Sequence, residues 1–288
     1  MRPYEGLLTA MVTPFTPDGR VDEEGAVALG RHLLHHGSHG LVVCGTTGES
    51  ATLEDEEQVS LVATMVRELG DEGAIVAGAG SNNTRHAVEL TERMVEAGAH
   101  AILSVTPYYN KPSPRGIKAH FAAVAEAAGG VPVILYNIPG RTATNMPPEL
   151  LRELAQLKGV AAVKQANSAE LQPIDGLAVL AGNDDIFARC LDMGGAGGIC
   201  VASHVVGDEM RAMIDEPERR QEIDATLREI YAVLFITNSP APTKAALRMI
   251  GHDVGGTRLP IADCDDDELA AVRAALAKHG LLQEVSTT

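Results

Sequence analysis

Gly159-Val160-Ala161-Ala162-Val163-Lys164-Gln165-Ala166-Asn167 is an apolar run of strand length that ends on a lysine and turns polar at once. Strands buried on both faces of a parallel sheet read as near-continuous hydrophobic runs. The pattern predicts such a strand over 160–164, with Lys164 on its last residue, at the rim of a core. A lysine ammonium is no nucleophile while it holds its proton. Loss of solvent disfavours the charged form and makes imine chemistry accessible. The plainer reading is a strand-ending lysine whose stem lies along the core while its amine reaches water. The rest of the chain decides between them.

Seven further runs of the same character recur along the chain, at Leu7–Val12, Gly40–Cys44, Ala74–Ala79, Ala101–Val105, Pro132–Tyr136, Leu177–Ala181 and Gly198–Ala202. Stretches with apolar residues at helical spacing lie between them, among them Asp22–His36, Leu53–Leu69, Thr84–Ala97 and Pro114–Ala127. Alternating strand and helix predicts a parallel sheet with crossover helices. Eight such units closing on themselves give an α/β fold, the (β/α)8 TIM barrel. An open doubly wound sheet is the competing architecture, but no G-x-G-x-x-G follows the first strand. Beyond the eighth unit the pattern changes to helices alone, over Glu218–Phe235, Ala241–Ile250 and Asp266–His279. The expected organisation is therefore a barrel over residues 1–216. A C-terminal helical extension over 217–288 packs on it as part of one structural unit.

Composition narrows the function. Among 288 residues, 23 are basic and 39 acidic, a net charge of −16, with no basic patch to meet nucleic acid. No apolar run approaches the roughly 20 residues of a membrane span, and the N-terminus lacks a signal-peptide layout. Cys44, Cys190, Cys200 and Cys264 form no C-x-x-C pair. A reducing cytoplasm is the expected setting. His32, His35, His36 and His39 cluster near one helix end, toward the barrel face opposite the chemistry, without convergent metal-ligand spacing. They read as solvated, and no metal is expected.

In a parallel barrel, functional groups gather at the C-terminal ends of strands. The second strand ends in Gly45-Thr46-Thr47-Gly48-Glu49-Ser50, whose glycines, amides and hydroxyls suit a small anion or a plain turn. The fourth ends in Thr106-Pro107-Tyr108-Tyr109-Asn110, two of the chain's five tyrosines side by side. The fifth ends in Tyr136-Asn137-Ile138-Pro139-Gly140-Arg141-Thr142, placing a phenol that can relay protons near a guanidinium that can grip a carboxylate. Asp184 and Asp185 follow the seventh strand and read as helix caps.

With these motifs in order, together with Asn238-Ser239-Pro240 and Gly256-Thr257-Arg258-Leu259-Pro260, nearly the whole chain resembles the pyruvate-dependent class I aldolases. Within them it is most similar to the dihydrodipicolinate synthase branch. The resemblance implies that Lys164 forms a Schiff base with pyruvate and that Thr46 and Thr47 hold the pyruvate carboxylate. It implies a hydroxyl relay of Tyr136, Thr46 and Tyr109, the last reaching in from a neighbouring subunit. Arg141 would bind the carboxylate of L-aspartate 4-semialdehyde, and the Ile199 carbonyl would face the pyruvate. The implied product is 4-hydroxy-tetrahydrodipicolinate, made without metal or organic cofactor by a homotetramer built as a dimer of dimers.

Regulated relatives bind lysine at the dimer interface, near the positions of Ser50, Ala51, Asn82, His86 and Tyr108. Here His86 stands in place of a glutamate, and Asp55 and Gln58 in place of histidines, so lysine inhibition is expected to be weak or absent. Gln165 replaces a glutamate common after the lysine. As a strand neighbour it points away from the site, so little effect on chemistry is expected. Sister aldolases acting on 2-keto-3-deoxy acids or N-acetylneuraminate remain the alternative within the family, and a non-catalytic keto-acid sensor the alternative outside it.

Overall fold

The computed structural model describes residues 2–282. Eight parallel strands close a barrel in chain order: β1 (Gly6–Ala10), β2 (Gly40–Val43), β3 (Ala74–Gly78), β4 (Ala101–Val105), β5 (Val133–Asn137), β6 (Val160–Gln165), β7 (Ala178–Ala181) and β8 (Gly197–Cys200). The expected TIM barrel is thus the observed fold. Strand β1 closes it by pairing Gly6 with Gly197. A Cβ at Gly197 would lie 1.9 Å from the Gly6 carbonyl oxygen, so the seam requires glycine there.

Side chains alternate across each strand and sort into two cores. Leu8, Val42, Val76, Ile134, Tyr136, Ala162, Leu180 and Ile199 fill the barrel interior. Leu7, Leu41, Val43, Ile75, Leu135 and Val163 face outward and pack under the helices. The β5–β6 pairing contains a register shift. Val133 sits opposite Val160, but Ile134 sits opposite Ala162, leaving Ala161 as an extra residue. Tyr136 consequently lies opposite Lys164. The strand also runs one residue further than expected, through Gln165.

Helices α1 (Glu23–His35), α2 (Asp55–Leu69), α3 (Thr84–Glu96), α4 (Pro114–Ala127), α5 (Pro139–Thr142), α6 (Pro148–Leu154), α7 (Phe187–Asp192) and α8 (Gly207–Asp215) surround the strands. Asp22 caps α1 by accepting from the Gly25 amide, and two glutamates follow in its first turn. Helix α2 starts two residues later than the charge pattern suggested. Glu54 and Glu57 form a reciprocal capping box that leaves Leu53 extended. Its Leu61, Val62, Met65 and Leu69 are fully buried, each worth about 1.5–3 kcal/mol in area removed from water. The link from β6 to β7 departs from the expected alternation: it carries only a 3-10 turn, Ser168–Glu170, and no α-helix.

Three helices follow the barrel: α9 (Arg220–Val233), α10 (Ala241–Met249) and α11 (Asp266–Lys278). Their Ile223, Leu227, Ile230, Leu247, Val272 and Leu276 join the same apolar layer that covers the strands. Positions 283–288 of the expected C-terminal extension lie outside the described residues. Among the described residues no helix is long and apolar enough to cross a membrane.

Two of the histidines expected to be solvated are not. His39 is half-buried and its Nδ1 accepts from the Leu7 amide, while burial pushes His32 down from 6.5 to about 4. His35 and His36 are exposed and meet Glu72 and Asp208. Deeper still, His204 bridges two strand ends. Its Nε2 accepts from the Val12 amide at 3.2 Å, and its Nδ1 lies 2.7 Å from the Val201 carbonyl oxygen. These partners fix a neutral ring with the proton on Nδ1, and burial pushes its pKa from 6.5 to about 4. A ring that binds its proton less readily folded than unfolded contributes stability that is complete above pH 6.5 and is lost as pH falls toward 4. The melting temperature of the wild type is therefore expected to fall across that interval, and more shallowly in His204→Gln. Identical slopes in scanning calorimetry would show that His204 has no such role.

Candidate active site

Lys164 and Tyr136 share the interior face, on neighbouring strands in register, at the C-terminal rim. Both are buried, and the Lys164 Nζ lies 4.2 Å from the centre of the Tyr136 ring. The Tyr136 backbone is pinned from β4, because Thr106 gives both its amide (3.0 Å) and its hydroxyl (2.9 Å) to the Tyr136 carbonyl. The phenol is thereby held against the amine by strand ends rather than by a free loop.

The turn after β2 is built by local strain and close approach. Cys44 and Glu49 both adopt left-handed backbone with φ of 56°, a conformation that disfavours side chains with a Cβ. The Glu49 amide donates to the Thr46 carbonyl and the Ser50 amide to the Gly45 carbonyl. Thr13 fastens the turn from β1's side, its hydroxyl 2.6 Å from the Gly48 carbonyl. A Cβ at Gly78 would lie 2.1 Å from the Cys44 carbonyl, so β3 must present glycine to this turn. Thr46 is half-buried and Thr47 buried.

A cleft of about 470 Å³ opens over these groups. Thr46, Tyr136 and Arg141 line it together with Ser50, Ala51, His86 and Tyr108. Two of the candidate catalytic residues, Thr46 and Tyr136, therefore open onto the same space as four of the candidate regulatory ones. Lys164, Thr47, Ile199, Asn82 and Tyr109 are not among the residues lining it, and Tyr136 is the wall residue that stands between the cleft and the Lys164 amine. Ile199 is buried in the barrel interior, and the Asn82 carbonyl accepts from the Asn110 amide group. Tyr109 has φ of 70° and is 87% exposed, so its ring stands in solvent away from its own Thr46. Arg141, on the short helix α5, is exposed at the cleft mouth.

At the candidate regulatory end, His86 Nε2 lies 2.9 Å from both Asp55 carboxylate oxygens, and its Nδ1 is 3.1 Å from the Ser81 hydroxyl. Arg93 approaches the same carboxylate at 4.0 Å. Gln58 is buried and turns its amide to the Ser50 and Leu53 carbonyls. Gln165, facing outward, accepts from the Asn137 side chain and the Asn167 amide, both at 3.0 Å. Its oxygen meets donors only, which a carboxylate would serve equally well.

Two features escaped the sequence. Asp184 does not cap the turn that it opens; its Oδ1 accepts the Val201 and Ala202 amides at 2.9 Å, tying the end of β8. Full burial pushes its pKa up, and those two amides and Lys164 pull it back down. Glu49 forms a fully buried ion pair with Lys244 of α10 at 2.7 Å. The available signal was a lysine in an otherwise apolar helix, Ala241-Pro242-Thr243-Lys244-Ala245-Ala246-Leu247.

Residues 3–279 match the dihydrodipicolinate synthetase family. The 4-hydroxy-tetrahydrodipicolinate synthase of Symbiobacterium thermophilum is 42% identical over 294 residues, covering 98% of this chain and all of that one. The Synechocystis enzyme of the same name is 41% identical over 292 residues, covering 97% of each. Among solved structures, the lysine-bound enzyme of Cyanidioschyzon merolae superposes with a TM-score of 0.94 at 38% identity, over 98% of this chain and all of that chain. With its closed barrel and its lysine set against a tyrosine at the rim, this chain belongs to the dihydrodipicolinate synthetase family.

Proposed function

We propose that the chain condenses pyruvate with L-aspartate 4-semialdehyde to 4-hydroxy-tetrahydrodipicolinate, the committed step toward diaminopimelate and lysine. The observation that carries this reading is the buried Lys164 amine set 4.2 Å from the ring of Tyr136, which itself lines a cleft with Thr46 and Arg141 on its walls. A lysine buried at a barrel rim beside a phenol suits a Schiff-base nucleophile. The amine adds to the pyruvate ketone, and Tyr136 relays the protons that convert the carbinolamine to an imine with loss of water. The Thr46 and Thr47 turn receives the pyruvate carboxylate. The protonated imine then draws electrons from the methyl C–H bond, a proton leaves, and the enamine carbon attacks the aldehyde. The substrate's own amine displaces Lys164, closing the six-membered ring and freeing the enzyme. Lysine performs the activation, so this reading calls on no metal or organic cofactor.

Arg141 at the mouth is the group for the semialdehyde carboxylate, and it favours this partner over a sugar aldehyde. The solvent-facing Tyr109 ring completes the relay only if it enters the cleft of a second copy, which makes a dimer the minimal active unit and a homotetramer its expected assembly. A cytoplasmic setting fits four free, buried cysteines.

Purified protein supplied with both substrates, dihydrodipicolinate reductase and NADPH is expected to consume NADPH only when both substrates are present. Lys164→Ala should lower that rate on the order of 10³-fold or more. A borohydride-trapped pyruvate adduct without NADPH consumption would move the assignment to a sister aldolase. Arg141→Ala should raise KM for the semialdehyde roughly tenfold, the worth of one charge-assisted contact, and leave KM for pyruvate nearly unchanged. Equal effects on both would place Arg141 elsewhere in the mechanism.

Lysine inhibition is expected to be weak or absent. His86 offers no carboxylate to the ligand's ammonium, and the nearby Asp55 carboxylate is already engaged by His86 and Arg93. An inhibition constant below the millimolar range in the same assay would overturn this.

A further inference from the structure

Glu49 and Lys244 lie far apart in the chain and meet in a place where neither has solvent. Charges so buried persist when each is paired and its remaining hydrogen-bonding capacity is met. Glu49 Oε1 faces the Lys244 ammonium at 2.7 Å, and Oε2 accepts the Arg258 amide at 2.9 Å. The ammonium also donates to the Gly256 carbonyl at 2.7 Å and stands 4.1 Å above the Phe15 ring. Arg258 lies over the same ring at 4.4 Å but forks onto Glu57 at 2.6 and 2.7 Å. The Arg258 guanidinium is thus committed to Glu57, and Lys244 is the side chain paired with Glu49. Burial pushes the Lys244 pKa down while the Glu49 charge pulls it back up, the opposition expected of a buried pair.

Glu49 closes the Thr46-to-Glu49 turn with its own amide, and its left-handed backbone turns the side chain into the protein beside that turn. An anion-binding turn that carries a carboxylate two and three residues from its threonines works against itself unless that charge is cancelled. We propose that Lys244 is a positioning residue for substrate binding. It neutralises Glu49, so that the amides and hydroxyls of Thr46 and Thr47 meet a keto-acid carboxylate without a second negative charge beside them. The inference rests on the reading above that this turn holds pyruvate, and it makes a helix beyond the barrel part of the pyruvate site. A carboxylate at Glu49 also draws the Arg258 amide and the Lys244 ammonium onto one anchor. The pair therefore sets both the charge and the position of the turn.

The test is the pyruvate dependence of borohydride trapping, together with steady-state kinetics, for wild type, Lys244→Met, Glu49→Gln and the double variant. Lys244→Met leaves Glu49 unpaired. It is expected to raise pyruvate half-saturation and KM about tenfold or more, with much smaller changes in kcat and in KM for the semialdehyde. The double variant removes both charges and is expected to recover most of that loss, to within about threefold of wild type. Glu49→Gln is expected to bind pyruvate no more weakly than the double variant.

Unchanged pyruvate binding in Lys244→Met, or a double variant as impaired as Lys244→Met, would overturn the proposal, the second by showing that packing and not charge is at stake. If Lys244→Met does not fold, the double variant carries the test, and a roughly tenfold loss of pyruvate binding in it would overturn the proposal equally. Wild-type protein that gives no pyruvate adduct would instead overturn the Schiff-base reading itself. That outcome is separate from any difference among variants.

Discussion

One extra residue in β6 decides which way Lys164 points. In a closed parallel barrel each strand sends alternate side chains to the interior and to the helix layer, and a shift of one residue exchanges the two. Val133 faces Val160, and both pack outward. Continued without interruption, that register would set Tyr136 against Val163 and turn Lys164 toward the helices. The bulge at Ala161 resets the parity, so that Ala162 and Lys164 point inward with Ile134 and Tyr136. Bulges beside active sites re-aim side chains in this way. The neighbouring ladders, from β6 to β7 and from β4 to β5, then propagate an aligned rim around the barrel.

Much of this architecture was legible because buried parallel strands have to be apolar almost throughout. All eight strands lie within two residues of the runs read from the sequence, and the helices after β1, β2, β3 and β4 also lie where spacing put them. The Ala161 bulge was not legible. Val160-Ala161-Ala162-Val163 is equally apolar in either parity, and alternation carries no signal where both faces are buried. The missing helix between β6 and β7 was also hidden, since Pro173 and the polar residues around it forbid a long helix without saying what replaces it. The start of α2 moved because a reciprocal Glu54–Glu57 cap outweighed the apolar Leu53 as a first helical residue.

At the site, the sequence identified strand-end residues and missed the groups that hold them. Tyr136, Lys164 and Thr46 could be placed at the barrel rim because each sits in a local motif at a strand end. Asp184, Thr106, His204 and Lys244 act on residues far away in sequence, and only the fold brings the partners together. Asp184 shows the difficulty well. A carboxylate at the start of a short helix has the pattern of a cap, yet the two amides it serves belong to the next strand's end. Tyr109 is the reverse case, because its motif is conspicuous while its ring stands 87% exposed outside its own cleft.

The two buried lysines show how surroundings, and not residue type, assign a role. Lys244 has a carboxylate at 2.7 Å, a carbonyl at 2.7 Å and an aromatic face, which hold its ammonium against the burial that pushes its pKa down. Such an amine stabilises a loop and cannot attack a ketone. Lys164 also stands over an aromatic ring, but among the described residues it has no carboxylate within ion-pair distance. Asp184, whose carboxyl feels the Lys164 charge from beyond that distance, spends one oxygen on backbone amides. Moving a carboxylate to within about 3 Å of Lys164 would stabilise the ammonium and suppress the free amine that imine formation requires. The barrel therefore excludes from Lys164 the partner that it supplies to Lys244. That exclusion is what the proposed Schiff-base role asks of Lys164.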